Sequence, residues 1–206
     1  MASPADSVDA ALDASAEASA RRERADAVRN RARILEAARA AFASEGLTCQ
    51  IDEIARQAGV GTGTIYRNFP TKEALLEAIL VDGVQQHTAR ARAAAGAGDP
   101  AAAFFDFLST MVHMSCANKA FSETLADSGI DVQKAKAGAS AELREAVGHL
   151  LQRAQQAGGV RHDVEVADLM ALVVGTCQAA SQYGGNVDWL IRVLRDGLRP
   201  TAVSHS

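Results

Sequence analysis

Between Ile51 and Pro70 the apolar positions come in two short bursts. Ile51, Ile54, Ala55 and Ala58 repeat at helical spacing, then Ile65 and Phe69 repeat at i and i+4. Gly59 closes the first burst and Pro70 the second, and both residue types end helices. Two short helices that cross steeply need a small side chain at the contact and a turn residue that accepts positive φ. Ala55 and Gly59 occupy those places, with Val60 as a further inward position. The pattern predicts a helix-turn-helix. Its second helix exposes Thr62, Thr64, Tyr66, Arg67 and Asn68, with Gly63 among them.

The flanking pattern is also helical. Ile34, Leu35, Ala38, Ala41 and Phe42 form a stripe that ends near Glu45 and Gly46, predicting a first helix packed on the motif. Residues 71–95 read as one long helix, with Thr71 as cap, Glu73 in the first turn, and an apolar side of Ala74, Leu75, Ala78, Ile79 and Val84. The segment GAGDP at 96–100 is a break and a domain boundary. Beyond it, helices are expected at 101–117, 121–126 and 139–157, then, after GGVR at 158–161, at 164–183 and 187–198. No alternating segment is long enough to suggest a sheet. The expected fold is all-α: a three-helix head with the helix-turn-helix, joined to a carboxy-terminal helical bundle. The head spans 23–80 and the bundle 81–200, between disordered tails at 1–22 and 201–206, because the first stretch holds almost no large apolar side chain.

Composition sharpens this picture in two ways. A chain of 206 residues with 48% hydrophobic content can bury a core, and no run approaches the length of a membrane span. Residues 1–20 carry four acidic and no basic side chains, so they are neither signal peptide nor anchor, and a cytoplasmic location is expected. The net charge of −4 conceals a division: residues 21–72 hold ten Lys and Arg against six Asp and Glu, a local +4 around the motif. Phosphate contacts release counterions locally, so a basic module on an acidic body suffices for DNA binding. Arg21, Arg22, Arg24, Arg29, Arg31 and Arg33 lie just before the motif, where they can meet phosphate or the minor groove as well as form a solvated face.

The segments RILEAARAAFASEGL and IDEIARQAGVGTGTIYRNFPTKEALLEAIL together resemble the DNA-binding domain of tetracycline-repressor (TetR) family regulators over about residues 28–80. The skeleton "IA…AGV…GT.Y..F..KEAL" stands in the family's order and spacing. Two positions depart from the family pattern: Gln50 replaces a Ser or Thr cap, for which Thr48 is a substitute, and Gly61 replaces a common serine. The resemblance implies that the second motif helix enters the major groove of a double-stranded, palindromic operator. Arg67, Thr62 and Thr64 then read bases, while Tyr66, Asn68 and Lys72 hold phosphate. It further implies a homodimer through the last helix pair, with Leu169, Val173, Trp189, Leu190, Val193 and Leu194 at the interface, and a long helix after the motif that links head to body.

A small-molecule effector is implied as well, with Phe107, Met111, Met114, Phe121, Cys177 and Tyr183 as lining, near His87 and His113. Each of these residues also reads simply as core. His113 and Cys116 share a helix face at i and i+3, but with no second pair they make no metal site. Cys49, Cys116 and Cys177 are odd in number and far apart, which argues against a disulfide framework. No nucleophile elbow, phosphate loop or HExxH occurs, so neither an enzyme nor a cofactor is expected. The resulting function is a ligand-responsive transcriptional regulator, a repressor released by its effector. The competing readings are an effector-independent architectural DNA-binding protein, a thiol- or metal-responsive regulator, and a small-molecule carrier or enzyme with a vestigial head.

Overall fold

The computed structural model describes residues 4–127 and 129–200, and the chain divides into two compact units, Met1–Leu75 and Leu76–Ser206. Eight α-helices and one 3-10 turn make up the fold, with no strand among the described residues. They are α1 (Pro4–Glu45), α2 (Ile51–Ala58), α3 (Thr62–Asn68), α4 (Lys72–Ala95), α5 (Pro100–Asp127), α6 (Val132–Gln156), α7 (Val166–Tyr183) and α8 (Val187–Leu198). The division falls inside α4 (Lys72–Ala95), as does the expected boundary between 80 and 81, and before the 96–100 break.

The amino-terminal stretch expected as a disordered tail is helical from Pro4. A shortage of large apolar side chains favours disorder, but the many alanines of this stretch carry the strongest local helix propensity. Residues 1–3 and the carboxy-terminal 201–206 lie outside the described residues.

In the first unit, α1 and α2 pack together and α2 crosses α3, burying Ile34, Ala38, Phe42, Ile54, Ala55, Ile65 and Phe69. Every one of these belongs to the apolar stripes read from the sequence. Thr71 caps α4 as expected, its Oγ1 accepting the Ala74 N–H at 3.1 Å.

The second unit packs α5 against α6, α7 and α8. Its core holds Phe104, Leu108, Met111 and Val112 of α5, Val147, Leu150 and Leu151 of α6, Leu169 and Val173 of α7, and Ile191 and Leu198 of α8. The two helices expected at 101–117 and 121–126 are one, since nothing at 118–120 breaks a helix. Helix α6 starts seven residues before the expected 139, where Asp131 caps it by accepting the Lys134 N–H at 2.9 Å. Glu165 and Asp168 form a reciprocal capping box on α7, and Asn186 caps α8. The turn after α6 lies against the first turn of α5. A Cβ added at Gly159 would stand 2.2 Å from the Ala101 Cβ, so only glycine permits this approach.

Cys116 of α5 and Cys177 of α7 form a disulfide, with Cα atoms 4.8 Å apart. This corrects the expectation of unpaired thiols. The two are 61 positions apart in sequence, but packing of α5 on α7 makes them neighbours in space.

Candidate nucleic-acid interface

The turn between α2 and α3 decides what α3 presents. Gly59 adopts φ +64°, and the amides of Gly59 and Val60 bond back to α2, that of Val60 reaching the Ala55 carbonyl at 3.0 Å. The chain therefore reverses within three residues. The Arg33 guanidinium lies over this turn, its Nη2 2.6 Å from where a Cβ on residue 59 would be. Ile65 and Phe69 anchor α3 from below, both almost fully buried. Gly63, Tyr66 and Arg67 are exposed, and Thr62, Thr64 and Asn68 partly so.

Not all of these side chains are at liberty to meet DNA. The Thr62 hydroxyl donates to Asp52 Oδ1 at 2.9 Å, fastening the start of α3 to α2. The Asn68 amide donates to the Thr64 carbonyl at 2.8 Å, covering the end of the helix. Tyr66, at 49% exposed, stands in solvent rather than under α1.

Lys72 is the largest departure from the phosphate role expected for it. Its ammonium donates to the Leu47 carbonyl and, at 2.8 Å, to that of Cys49, and it lies 5.5 Å from the Phe42 ring centroid. Two of its three N–H groups are thus committed to the loop before α2, because the 3-10 turn at Gly46–Thr48 ends with carbonyls that need donors. Gln50 and Thr48 supply no cap to α2. The Gln50 amide donates to Thr48 O at 3.0 Å and the Thr48 hydroxyl to Glu45 O at 3.0 Å. The first turn of α2 instead carries Asp52 and Glu53, which favour its positive dipole end. Hydrogen bonds from Arg56 and then Gln57 hold the Glu53 carboxyl down at about 2, so it stays ionised.

Arg21, Arg22, Arg24, Arg29, Arg31 and Arg33 of α1 are exposed. Arg31 stacks its guanidinium 4.6 Å from the Phe69 ring centroid, at the end of α3. Arg33 at the turn and Arg31 at the end of α3 thus bracket the motif. Arg29 pairs with Asp26 and Arg24 bonds the Ala20 carbonyl at 3.1 Å. Sequence spacing shows that these arginines precede the motif but not which of them touch it.

The second unit separates the residues assigned to an effector. Phe107 and Met111 are core, Cys177 is disulfide-bonded, Met114 meets Arg90 Nη1, Phe121 is half-buried, and Tyr183 is 79% exposed. An open cleft of about 220 Å³ is lined by Arg92, Ala95, Glu145, Ala146 and His149. Another of about 350 Å³ includes Arg161, Asp168, Leu172, Val193 and Leu194. Neither contains any of the six. His113 bonds Asp188 at 3.1 Å across α5 and α8. His87 of α4 is one of few buried polar side chains among the described residues. Its Nδ1 has no hydrogen-bond partner among the described residues, and burial, then the charge of Arg90, pushes its pKa down to about 4.

The interface residues divide likewise. Leu169 and Val173 face their own core, a correction to their assignment, whereas Trp189 and Val193 project outward and Leu190 and Leu194 are intermediate. Leu172 and Val174 of α7 also face solvent.

Residues 34–79 match the family model described as bacterial regulatory proteins, tetR family, and residues 99–200 match the SbtR-like transcriptional regulator carboxy-terminal domain. A TetR transcription regulatory protein from Mycobacterium vanbaalenii is 44% identical, with a TM-score of 0.72 over 86% of this chain and 99% of that one. The regulator SCO0520 from Streptomyces coelicolor is 32% identical, with a TM-score of 0.71 over 84% and 99%. The Bacillus subtilis regulator FadR, solved in complex with stearoyl-CoA, shares the fold at 17% identity and a TM-score of 0.56, over 81% and 98%. No curated protein matches. Among the described residues no helix is long and apolar enough to cross a membrane. With its helix-turn-helix head and helical second unit matched over both parts, the chain belongs to the TetR family of DNA-binding transcriptional regulators.

Proposed function

We propose that this regulator is a homodimeric repressor that reads a palindromic operator with α3 and releases it when a small molecule occupies the second unit. The observation that carries the reading is the exposed Gly63, Tyr66 and Arg67, with the partly exposed Thr64, on a seven-residue helix whose angle is held by Gly59. Arg67 has the forked donors that match guanine, Thr64 can bond a base or touch a thymine methyl, and Tyr66 suits phosphate. Arg31 and Arg33, beside the motif, add backbone contacts.

Dimerisation is supported by outward-facing Leu172, Val174, Trp189 and Val193 on α7 and α8, and by the need for two heads to read successive major grooves. For the effector, neutral His87 offers a buried ring nitrogen with no partner, which a ligand hydrogen bond would satisfy. A ligand that binds one body conformation better than another shifts DNA affinity by that difference.

The test is selection of random duplex DNA on the purified protein, followed by titration at two salt concentrations. A palindrome with half-sites about one helical turn apart, bound by a dimer with a steep salt slope, is expected. Thr64→Ala should alter sequence preference, and Tyr66→Ala should weaken all duplexes alike. Weak binding without sequence preference would overturn the proposal.

A further inference from the structure

The Cys116–Cys177 pair stands outside the DNA-reading surface and is absorbed by no part of the function above. We infer that Cys116 and Cys177 form a reversible thiol–disulfide couple that fastens α5 to α7, so that operator binding responds to thiol redox state. The inference rests on the DNA-binding reading.

Geometry supports reversibility in both directions. The two Cα atoms are 4.8 Å apart, inside the span of about 4.4–6.8 Å that a disulfide bridges without backbone movement. The helices are also packed on one another through Val112, Leu169 and Val173, so the thiols stay adjacent when the bond is open. Cys177 is buried, with Sγ 3.7 Å from the Val112 carbonyl, whereas Cys116 lies at the rim of the core and is half-buried. An external thiol or disulfide therefore meets Cys116 first, and Cys177 serves as the resolving sulfur.

Position supports a consequence for the body. Up to Val112, α5 is anchored by Phe104, Leu108 and Met111. Among its described residues after Cys116, only Leu125 is buried. The bond thus secures α5 where apolar packing thins, close to the exposed His113–Asp188 pair that links α5 to α8. It joins this segment to α7, one of the two helices that present the outward apolar face. Opening it releases a constraint between residues 61 apart in sequence. Cys49, the remaining cysteine, is a buried thiol of the first unit and serves as an internal control.

The oxidant is a low-molecular-weight disulfide. The Cys116 thiolate attacks one of its sulfurs, that S–S bond breaks, a mixed disulfide forms, and one small thiolate leaves and takes a proton. The Cys177 thiolate then attacks Cys116 Sγ and displaces the second small thiolate, which is protonated in turn. Two electrons and two protons pass from the protein dithiol to the small disulfide. Excess small thiol reverses both steps.

The experiment equilibrates the full-length protein in buffers of graded oxidised to reduced glutathione. Free thiols are counted by alkylation after denaturation, and affinity for the selected operator is measured in the same samples. Expected is a passage from three alkylated cysteines to one across the series, with operator affinity changing at least threefold in step. The Cys116→Ser/Cys177→Ser double variant should bind operator with no redox response, and Cys49→Ser should respond like wild type. Single Cys116→Ser should also lose the response, which keeps the test open if the double variant does not fold. A pair that stays reduced or stays oxidised at every ratio, or interconverts with unchanged operator affinity, overturns the inference. Failure to bind any selected duplex in either state overturns the DNA-binding reading and this inference with it, while the thiol count still reports whether the couple exists.

Discussion

The two units of this protein are held together by different means. In the first, polar groups fix the geometry: Lys72 on two loop carbonyls, Thr62 on Asp52, Asn68 on Thr64, and a glycine in the left-handed region at the turn. In the second, an apolar core drawn from α5, α6, α7 and α8, with Ala91 of α4, holds the fold, and buried His87 has a ring nitrogen with no hydrogen-bond partner among the described residues. A head that presents side chains to a fixed target gains from rigid, directional bonds. Under the proposed effector role, a polar atom left unsatisfied in the body would gain its partner when a ligand arrives.

The contrast can be broken most forcefully in the apolar core. Phe104→Ala empties a fully buried site and should destabilise the second unit by about 3–5 kcal/mol in chemical denaturation. A loss under about 1 kcal/mol would show that packing is not what holds the body.

The next effect comes from His87. Its folded pKa of about 4 lies below the ordinary histidine value, so the unfolded chain takes up the proton first. Its contribution is complete above about pH 6.5 and declines as pH falls toward 4, by a total on the order of 3 kcal/mol. His87→Phe should remove that slope between pH 7 and pH 4. An unchanged slope would place the acid sensitivity elsewhere.

Lys72→Met sharpens the other side. Removing the ammonium leaves two carbonyls without their donor and should cost the first unit about 1–3 kcal/mol. The salt slope of DNA binding should remain unchanged. A slope reduced by about one, with stability intact, would return Lys72 to the phosphate role expected from sequence.

Gly59→Ala should cost about 1–2 kcal/mol through the left-handed backbone alone, since the Arg33 side chain can swing aside from the new methyl group. Melting of the variant against wild type measures it.

Much of the head was legible because its constraints are local. Ala55, Gly59, Ile65 and Phe69 stand at fixed intervals, and each interval has one mechanical meaning, so the helix-turn-helix and its exposed face could be read directly. What was not legible there depends on where long side chains turn: Lys72 reaches back 25 residues to Leu47, and no spacing rule reports that. In the body, helix positions were readable from apolar periodicity, apart from the joined α5 and the early start of α6. The candidate effector residues were not. A Phe or Met that lines a cavity and one that fills a core have the same periodicity, and Phe107, Met111 and Tyr183 were separated only by burial. Likewise Cys116 and Cys177 gave no sign of pairing, because the distance between two helices is not written in the residues between them.

The contact of Gly159 with Ala101 sets a rule for how this family branch can vary. With the backbones this close, the combined side-chain volume at the two positions is bounded, and the present pair nearly exhausts it. An alanine at 159 should appear in relatives only beside a glycine at 101 or a turn of different length. Variation at 101 beyond alanine should in turn be absent wherever 159 and the turn are unchanged. The two positions, 58 apart in sequence, should therefore drift as one. A set of homologous sequences in which they vary independently would mean that the turn after α6 takes more than one path.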